Sequence, residues 1–411
     1  MPPAPQKPLH QALLLLPPGP SPPAYETLKA AYGPTLRTVL GQLARAPQRA
    51  QDRAVLDIAL PCSHLYGRLD APRRPFYAHT QSLVAGLYKL ICTIAAQNSI
   101  DTEDAEGVDA RVILLAYPRD GKLVQPSETE RPERETLGPA IELHTLAKSN
   151  RPWDTIFSVE SEEGEALVRN FLSFSPSSKN VQRVRGGIVS VHSSTQVTLP
   201  AADEKAPTNH HSVAVGGTFD HLHIGHKLLL TMFAFVLGRQ HPGDDEPRCL
   251  TVGITGDALL KNKKYVELVE SWDDRRRSTH DFLSGILHFG AAQDARIRTE
   301  EFNDPGPNGR AVHVAYPSGL VIKYVEIQDP FGPTITDESI SALVISLETR
   351  SGGKAVNDRR TEKGWASLEV FEVDVLDAEE EGGKVVEGFA NKLSSTEIRK
   401  RRSEGRGSTD A

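Results

Sequence analysis

The segment from Val213 to Lys227 gathers residue types that handle anions: Gly216, Gly217, Thr218, Phe219, Asp220, His221, His223 and His226 follow a short apolar run. Glycines without a Cβ let the backbone turn sharply and lie against a ligand. The helix expected next offers free N–H groups at its start, an anion site when it follows a parallel strand. His223 and His226 lie one helical turn apart, so both can face the same phosphate chain. Further along, Gly256 to Lys264 carries Lys261 and Lys263, cations suited to phosphate oxygens. Near the far end, Ser394, Ser395 and Thr396 place hydroxyls at a helix start, where they cap N–H groups and donate to phosphate.

Each feature also has a plainer reading. The histidines could cap a helix or fill space, the lysines could be a solvated charge run, and the hydroxyls could form an ordinary capping box. Zinc at His221, His223 and His226 is discounted, because no cysteine or carboxylate set completes a site at metal-ligand spacing, and no protein metal ligand is expected. Cys62, His64 and His79 lack a motif and read as packing or surface residues.

The elements that must position these residues follow from apolar periodicity. Leu13 to Leu16, Val55 to Leu60, Val112 to Ala116 and Ile188 to Val191 read as short strands, with a helix over Gln81 to Ala96. These make an N-terminal α/β region of residues 1–195, of unknown role, with an exposed loop from Gly121 to Glu135. Residues 196–211, within the aperiodic stretch Ser193 to His211, form the expected linker. Residues 212–405 alternate strands (Val213 to Val215, Leu250 to Ile254, Val321 to Ile327, Leu343 to Ile345, Leu368 to Val375) with helices (Lys227 to Leu237, Trp272 to Phe289, and one from Ser395). That alternation predicts a Rossmann-like α/β domain with a parallel sheet, capable of folding from about Thr208, with residues 406–411 as a tail.

Composition limits the function classes. The 411 residues carry 47 Lys+Arg against 54 Asp+Glu, a net charge of −7, which argues against a dedicated nucleic-acid binder. The run Ala12 to Leu16 is too short to cross a bilayer. Three cysteines scattered at 62, 92 and 249 point to a reducing compartment, so a cytoplasmic protein is expected. Lys400-Arg401-Arg402 could direct a nuclear fraction, although cations late in a helix also favour its dipole.

The Gly-Thr-Phe-Asp sequence followed by His-x-Gly-His resembles the first signature of the HxGH nucleotidyltransferases, and Ser394-Ser395-Thr396-Glu397-Ile398-Arg399 resembles the Ser-Ser-Thr-x-x-Arg motif of their adenylyltransferase branch. Between them, Ile327 to Pro333, Leu343 to Thr349, Gly352-Gly353, Val356-Asn357 and Arg360 resemble the eukaryotic, fungal-type phosphopantetheine adenylyltransferases. Leu347 departs from the acidic residue expected of the animal form.

The resemblance implies transfer of AMP from ATP to 4′-phosphopantetheine, with Mg²⁺ on the triphosphate. It implies catalytic roles for Thr218, His226 and Lys261, with Lys263 a rival. Gly217, Thr218, Phe219, His223, His226, Ser346, Glu348, Ser394, Ser395 and Thr396 would bind nucleotide, and Thr218 and Lys261 the acceptor. The alternatives are a nicotinamide mononucleotide adenylyltransferase, against which the segments 329–333 and 352–360 weigh, and an inactive nucleotide- or coenzyme A-binding scaffold. No P-loop follows from Gly121-Lys122, Gly353-Lys354 or Gly383-Lys384, because none is followed by Ser or Thr. A separate dephospho-coenzyme A kinase is therefore the expected partner.

Overall fold

A computed structural model describes residues 11–46, 53–102, 107–124, 135–149, 151–176, 179–190, 208–239, 247–291, 294–303, 306–374, 376 and 394–407. The first sheet contains β1 (Gln11–Leu15), β2 (Ala54–Pro61), β3 (Val108–Ala116), β4 (Ala140–Glu142), β5 (Thr155–Glu160) and β6 (Val181–Arg185). All run parallel in the order β4-β3-β2-β1-β5-β6. Helices α1 (Tyr25–Arg45), α2 (Arg74–Gln97), α3 (Leu143–Lys148) and α4 (Glu162–Phe174) connect them. Both faces are covered, which is why β1 and β2 read as unbroken apolar runs rather than alternating ones.

The strand expected at Ile188 to Val191 does not form over its described part, 188–190. That stretch instead straps α1. Pro34, inside α1, has no N–H to give the carbonyl of Ala30, and the Ile188 N–H takes that carbonyl at 3.0 Å while Gly187 N–H bonds Ala31 O at 3.2 Å. A Cβ on Gly187 would run into the Ala30 carbonyl, so the strap needs glycine there. The edge strand is Val181–Arg185, which sequence periodicity did not mark.

The second sheet contains β7 (Ser212–Gly217), β8 (Arg248–Thr255), β9 (Arg298–Phe302), β10 (Ala311–Ala315), β11 (Leu320–Ile327), β12 (Ala342–Ser346) and β13 (Glu369–Val373). Its order is β13-β12-β7-β8-β11-β10-β9. The first five strands in that order are parallel, and β10 and β9 add an antiparallel extension at one edge. Its helices are α5 (Ile224–Val236), the short α6 (Asp257–Leu260), α7 (Trp272–Leu287), α8 (Arg350–Glu362) and α9 (Ser395–Gly407). The chain leaves β7 for β8 on one side and later returns to β12 on the other. The carboxyl ends of β7 and β12 therefore flank a topological switch point, where open α/β sheets bind ligands.

The two sheets share a core. A single hydrophobic cluster includes Leu14, Leu56 and Val112 of the first and Val215, Leu250 and Ile322 of the second. Helix α5 is buried nearly all round, because α2 covers the side turned away from its own sheet. Most of the expected linker and the middle of the 121–135 loop lie outside the described residues, and positions 406–407 of the expected tail belong to α9. Among the described residues, no helix is long and apolar enough to cross a membrane. Cys62, Cys92 and Cys249 are buried and none of the three is in a disulfide.

Candidate functional site

Strand β7 ends at Gly217, and the loop to α5 passes through two left-handed non-glycine residues, Phe219 (φ 51°) and His221 (φ 47°). Such conformations cost of order 1 kcal/mol each and persist where the surroundings over-determine them. Here they are held by burial of the Phe219 ring and by hydrogen bonds around Asp220 and His221.

Asp220 is fully buried. One carboxylate oxygen accepts the Glu270 N–H at 2.9 Å, the other pairs with Arg399 of α9, and its carbonyl accepts the Ser395 hydroxyl at 2.8 Å. His221 N–H donates to Glu270 Oε2 at 2.8 Å, and His221 Nδ1 lies 3.3 Å from Glu270 Oε1. Arg275, buried in α7, donates from Nη1 to Thr218 O and Thr255 O, each at 2.9 Å. The ends of β7 and β8, the loop before α7 and the start of α9 are thereby tied together.

The His-x-Gly-His residues sit beyond this latch. His223 occupies the N-cap position of α5 in an extended conformation, and its side chain makes no capping hydrogen bond. The rings of His223 and His226 stack with centroids 3.8 Å apart and planes at 21°. In both imidazoles Nδ1 is buried and has no hydrogen-bond partner. Neither histidine is therefore a cap, and each keeps a polar atom for something else. Burial lowers His226 to about 3, helped by the charge of Lys263 and opposed by Glu270. His223 is pushed well below its ordinary value by burial, then by His226, Lys227 and His221. Two neutral imidazoles thus stack at the helix start; an incoming polyphosphate would be met by ring N–H donors and backbone amides.

The other sequence-selected residues divide. Thr218 lies beside Thr255, their hydroxyls 3.5 Å apart, at the ends of β7 and β8. Lys263 bears electrostatically on His226, and burial together with Arg399 lowers its own ammonium. Lys261 is the exposed C-cap of α6. Ser346 ends β12 across the switch point from Gly217, and Glu348 is exposed just beyond it. Ser394 precedes α9, whose start reaches the motif loop; Ser395 is engaged with Asp220 O, and Thr396 Oγ1 accepts from Arg399 at 3.2 Å.

Sequence reading missed Asp220, Glu270, Arg275 and Arg399 as a connected set. Only Asp220 and Arg399 stood inside quoted motifs, and nothing in spacing announces a contact between positions so distant. Asp220, His221 and Glu270 do bring three ligand atoms within 4.8 Å of one another, the carboxylates that sequence spacing did not supply. Those carboxylates are engaged by Arg399 and backbone N–H groups, so the trio works as a fastening.

A switch-point loop bearing Gly-Gly-Thr-Phe-Asp and His-x-Gly-His, closed by the Ser-Ser-Thr helix, makes the second sheet a Rossmann-like domain of nucleotidyltransferase type. Over 266 residues the chain is 30% identical to an uncharacterised protein of Schizosaccharomyces pombe, with 63% of this chain and 67% of that one covered, and it belongs to that protein's family. It is 37% identical over 190 residues to a phosphopantetheine adenylyltransferase of Saccharomyces cerevisiae, covering 46% of this chain and 48% of that protein. The chain thus spans about half the length of that yeast relative. A phosphopantetheine adenylyltransferase of Pyrococcus abyssi is 29% identical over 187 residues, 46% of this chain and 87% of that one. Residues 1–190 match a family described as a domain of unknown function (DUF8446).

Proposed function

We propose that this chain transfers AMP from ATP to 4′-phosphopantetheine, forming dephospho-coenzyme A and pyrophosphate. The observation that carries the reading is the stacked His223–His226 pair, neutral and with unpartnered Nδ1 atoms, at the helix start beside the switch point. The names of the yeast and archaeal relatives supply the acceptor.

In this reading a phosphate oxygen of the acceptor attacks the α-phosphorus of ATP. The new P–O bond forms as the bond to the α,β-bridging oxygen breaks, and pyrophosphate leaves with that electron pair. No protein nucleophile is needed. His226 and Thr218 donate to the α-phosphoryl oxygens, Lys261 or Lys263 neutralises phosphate charge, and the starts of α5 and α9 receive the triphosphate. Gly217, Phe219, His223, Ser346, Glu348 and Ser394 to Thr396 line the nucleotide. Mg²⁺ would arrive on the triphosphate, held by phosphate oxygens and water, since Asp220 and Glu270 are already engaged. A separate kinase would then phosphorylate the dephospho-coenzyme A ribose.

The test is pyrophosphate release from ATP and Mg²⁺ by the purified full chain, with 4′-phosphopantetheine and nicotinamide mononucleotide as competing acceptors. Dephospho-coenzyme A as the product supports the reading; the dinucleotide, or ATP binding without turnover, overturns it.

A further inference from the structure

Lys227 follows His226 directly in α5, and on a helix that step turns its side chain about 100° away from the histidine. It points out of the second sheet's domain and into the first. Its Nζ lies 2.6 Å from Asp109 Oδ1 on β3, with both side chains buried. The other oxygen of Asp109 accepts from Arg111 Nε at 2.9 Å and is 2.7 Å from Arg111 Nη2. Burial would raise the Asp109 carboxyl, but Arg111, Lys227 and Arg53 overcome it and hold the group far below the usual carboxylate range. The carboxylate is therefore ionised, and although burial lowers the Lys227 ammonium to about 8, it stays charged at neutral pH, so the two form an ion pair there.

The same surface of the first sheet also grips α7. Arg151, anchored on Asp57 of β2 at 2.9 Å, donates to the carbonyls of Gly285 at 2.6 Å and His288 at 2.9 Å. Arg111 lies so close over Gly285 that a Cβ there would collide with its guanidinium. Apolar packing of α2 on α5 could dock the two halves without buried charge, and a buried ion pair is seldom the more stabilising choice. What a buried pair provides is register. This one fixes the first turn of α5, next to the ring that must meet the α-phosphate.

We infer that Asp109, on the first sheet, is a positioning residue for the reaction, setting the placement of His223 and His226 through Lys227. The inference rests on the phosphate reading of the histidine pair. It gives the first sheet a role in the chemistry at the second. The charge of Lys227 also bears on His223, so the pair sets electrostatics as well as geometry.

The experiment compares full-length Asp109→Asn, Lys227→Met and the double variant. Asp109→Asn leaves a buried cation unpaired and should lower both the melting temperature and kcat. The double variant removes Lys227 together with its partner but leaves Arg111 with only Asp57 and Asp281 nearby, so its melting temperature should recover most, not all, of the loss. Its kcat should stay about tenfold to a hundredfold low, the scale of a displaced reacting group, with KM for ATP little changed. A double variant that recovers kcat along with stability reduces Asp109 to a structural residue and overturns the inference, as does a folded Asp109→Asn with wild-type kcat. The imidazole Cε1–H resonances of His223 and His226, read without substrate, should move in the double variant. Should the wild-type chain make no dephospho-coenzyme A, the functional reading falls and these resonances decide the inference alone: unmoved, they overturn it.

Discussion

Arg399, in the helix nearest the end of the chain, closes a buried ion pair with Asp220 in the loop that leads to the histidines. Arg399 also donates to Lys264 O at 3.1 Å, so one guanidinium joins α9, the motif loop and the lysine loop. Arg399→Met should strand a buried carboxylate and cost about 3–5 kcal/mol. The melting temperature of the full chain should fall and α9 should become the first protease-sensitive helix. Adding Asp220→Asn should recover part of the stability, and a single variant with unchanged melting would show the pair to be idle.

His226→Ala should lower kcat by about 10²–10³-fold, the scale of one lost transition-state donor, while ATP affinity changes much less. Isothermal titration with ATP beside steady-state turnover separates the two effects. Near-wild-type turnover in the folded variant would leave His226 as packing only.

Lys263→Ala should cost more kcat than Lys261→Ala, because the charge of Lys263 bears on His226 although both lysines are exposed. The reverse ranking of turnover would place the phosphate-neutralising charge at the end of α6.

Acid should destabilise the protein between pH 6.5 and 3. Burial lowers His64 and His226 to about 3 and pushes His223 well below its ordinary value, whereas in the unfolded chain they titrate near 6.5. Their folded pKa values are depressed, so the stability tied to neutral rings is full above 6.5 and is lost as pH falls towards 3. His144, raised mainly by its hydrogen bond to Glu142, acts in the opposite direction but is outnumbered. Urea midpoints should decline over that window, and His64→Gln should make the decline shallower by up to about 1.4 kcal/mol per pH unit. A midpoint flat from pH 6.5 to 4 would mean these rings are not held neutral.

A fragment beginning near Thr208 should be insoluble or should bind an apolar dye strongly. Without the first sheet, Lys227 loses Asp109 and the outer side of α5 loses α2. A monomeric, soluble fragment with a sharp melting transition would contradict this.

The sequence by itself determined which residues gather in the loop after β7 and which strands hold them. Buried parallel strands are continuous apolar runs, and the loop from Gly217 to His226 is one uninterrupted stretch, so both signals are local. The alternation of strands and helices was enough to imply a parallel sheet, whereas the strand order that creates the switch point came from the tertiary structure. Helix α1 escaped notice because Pro34 breaks its pattern, and only the strap at 187–188, far along the chain, supplies the missing donor. Helix α5 is apolar nearly all round, which marks a buried helix, but that α2 of the other half covers its outer side was decided only in the tertiary structure. The pairs Asp220–Arg399 and Asp109–Lys227 join positions separated by 179 and 118 residues. A charged residue carries no sign in its own neighbourhood of which distant opposite charge will neutralise it. That choice is made when burial removes water and leaves each ion only the opposite charges that folding brings within reach.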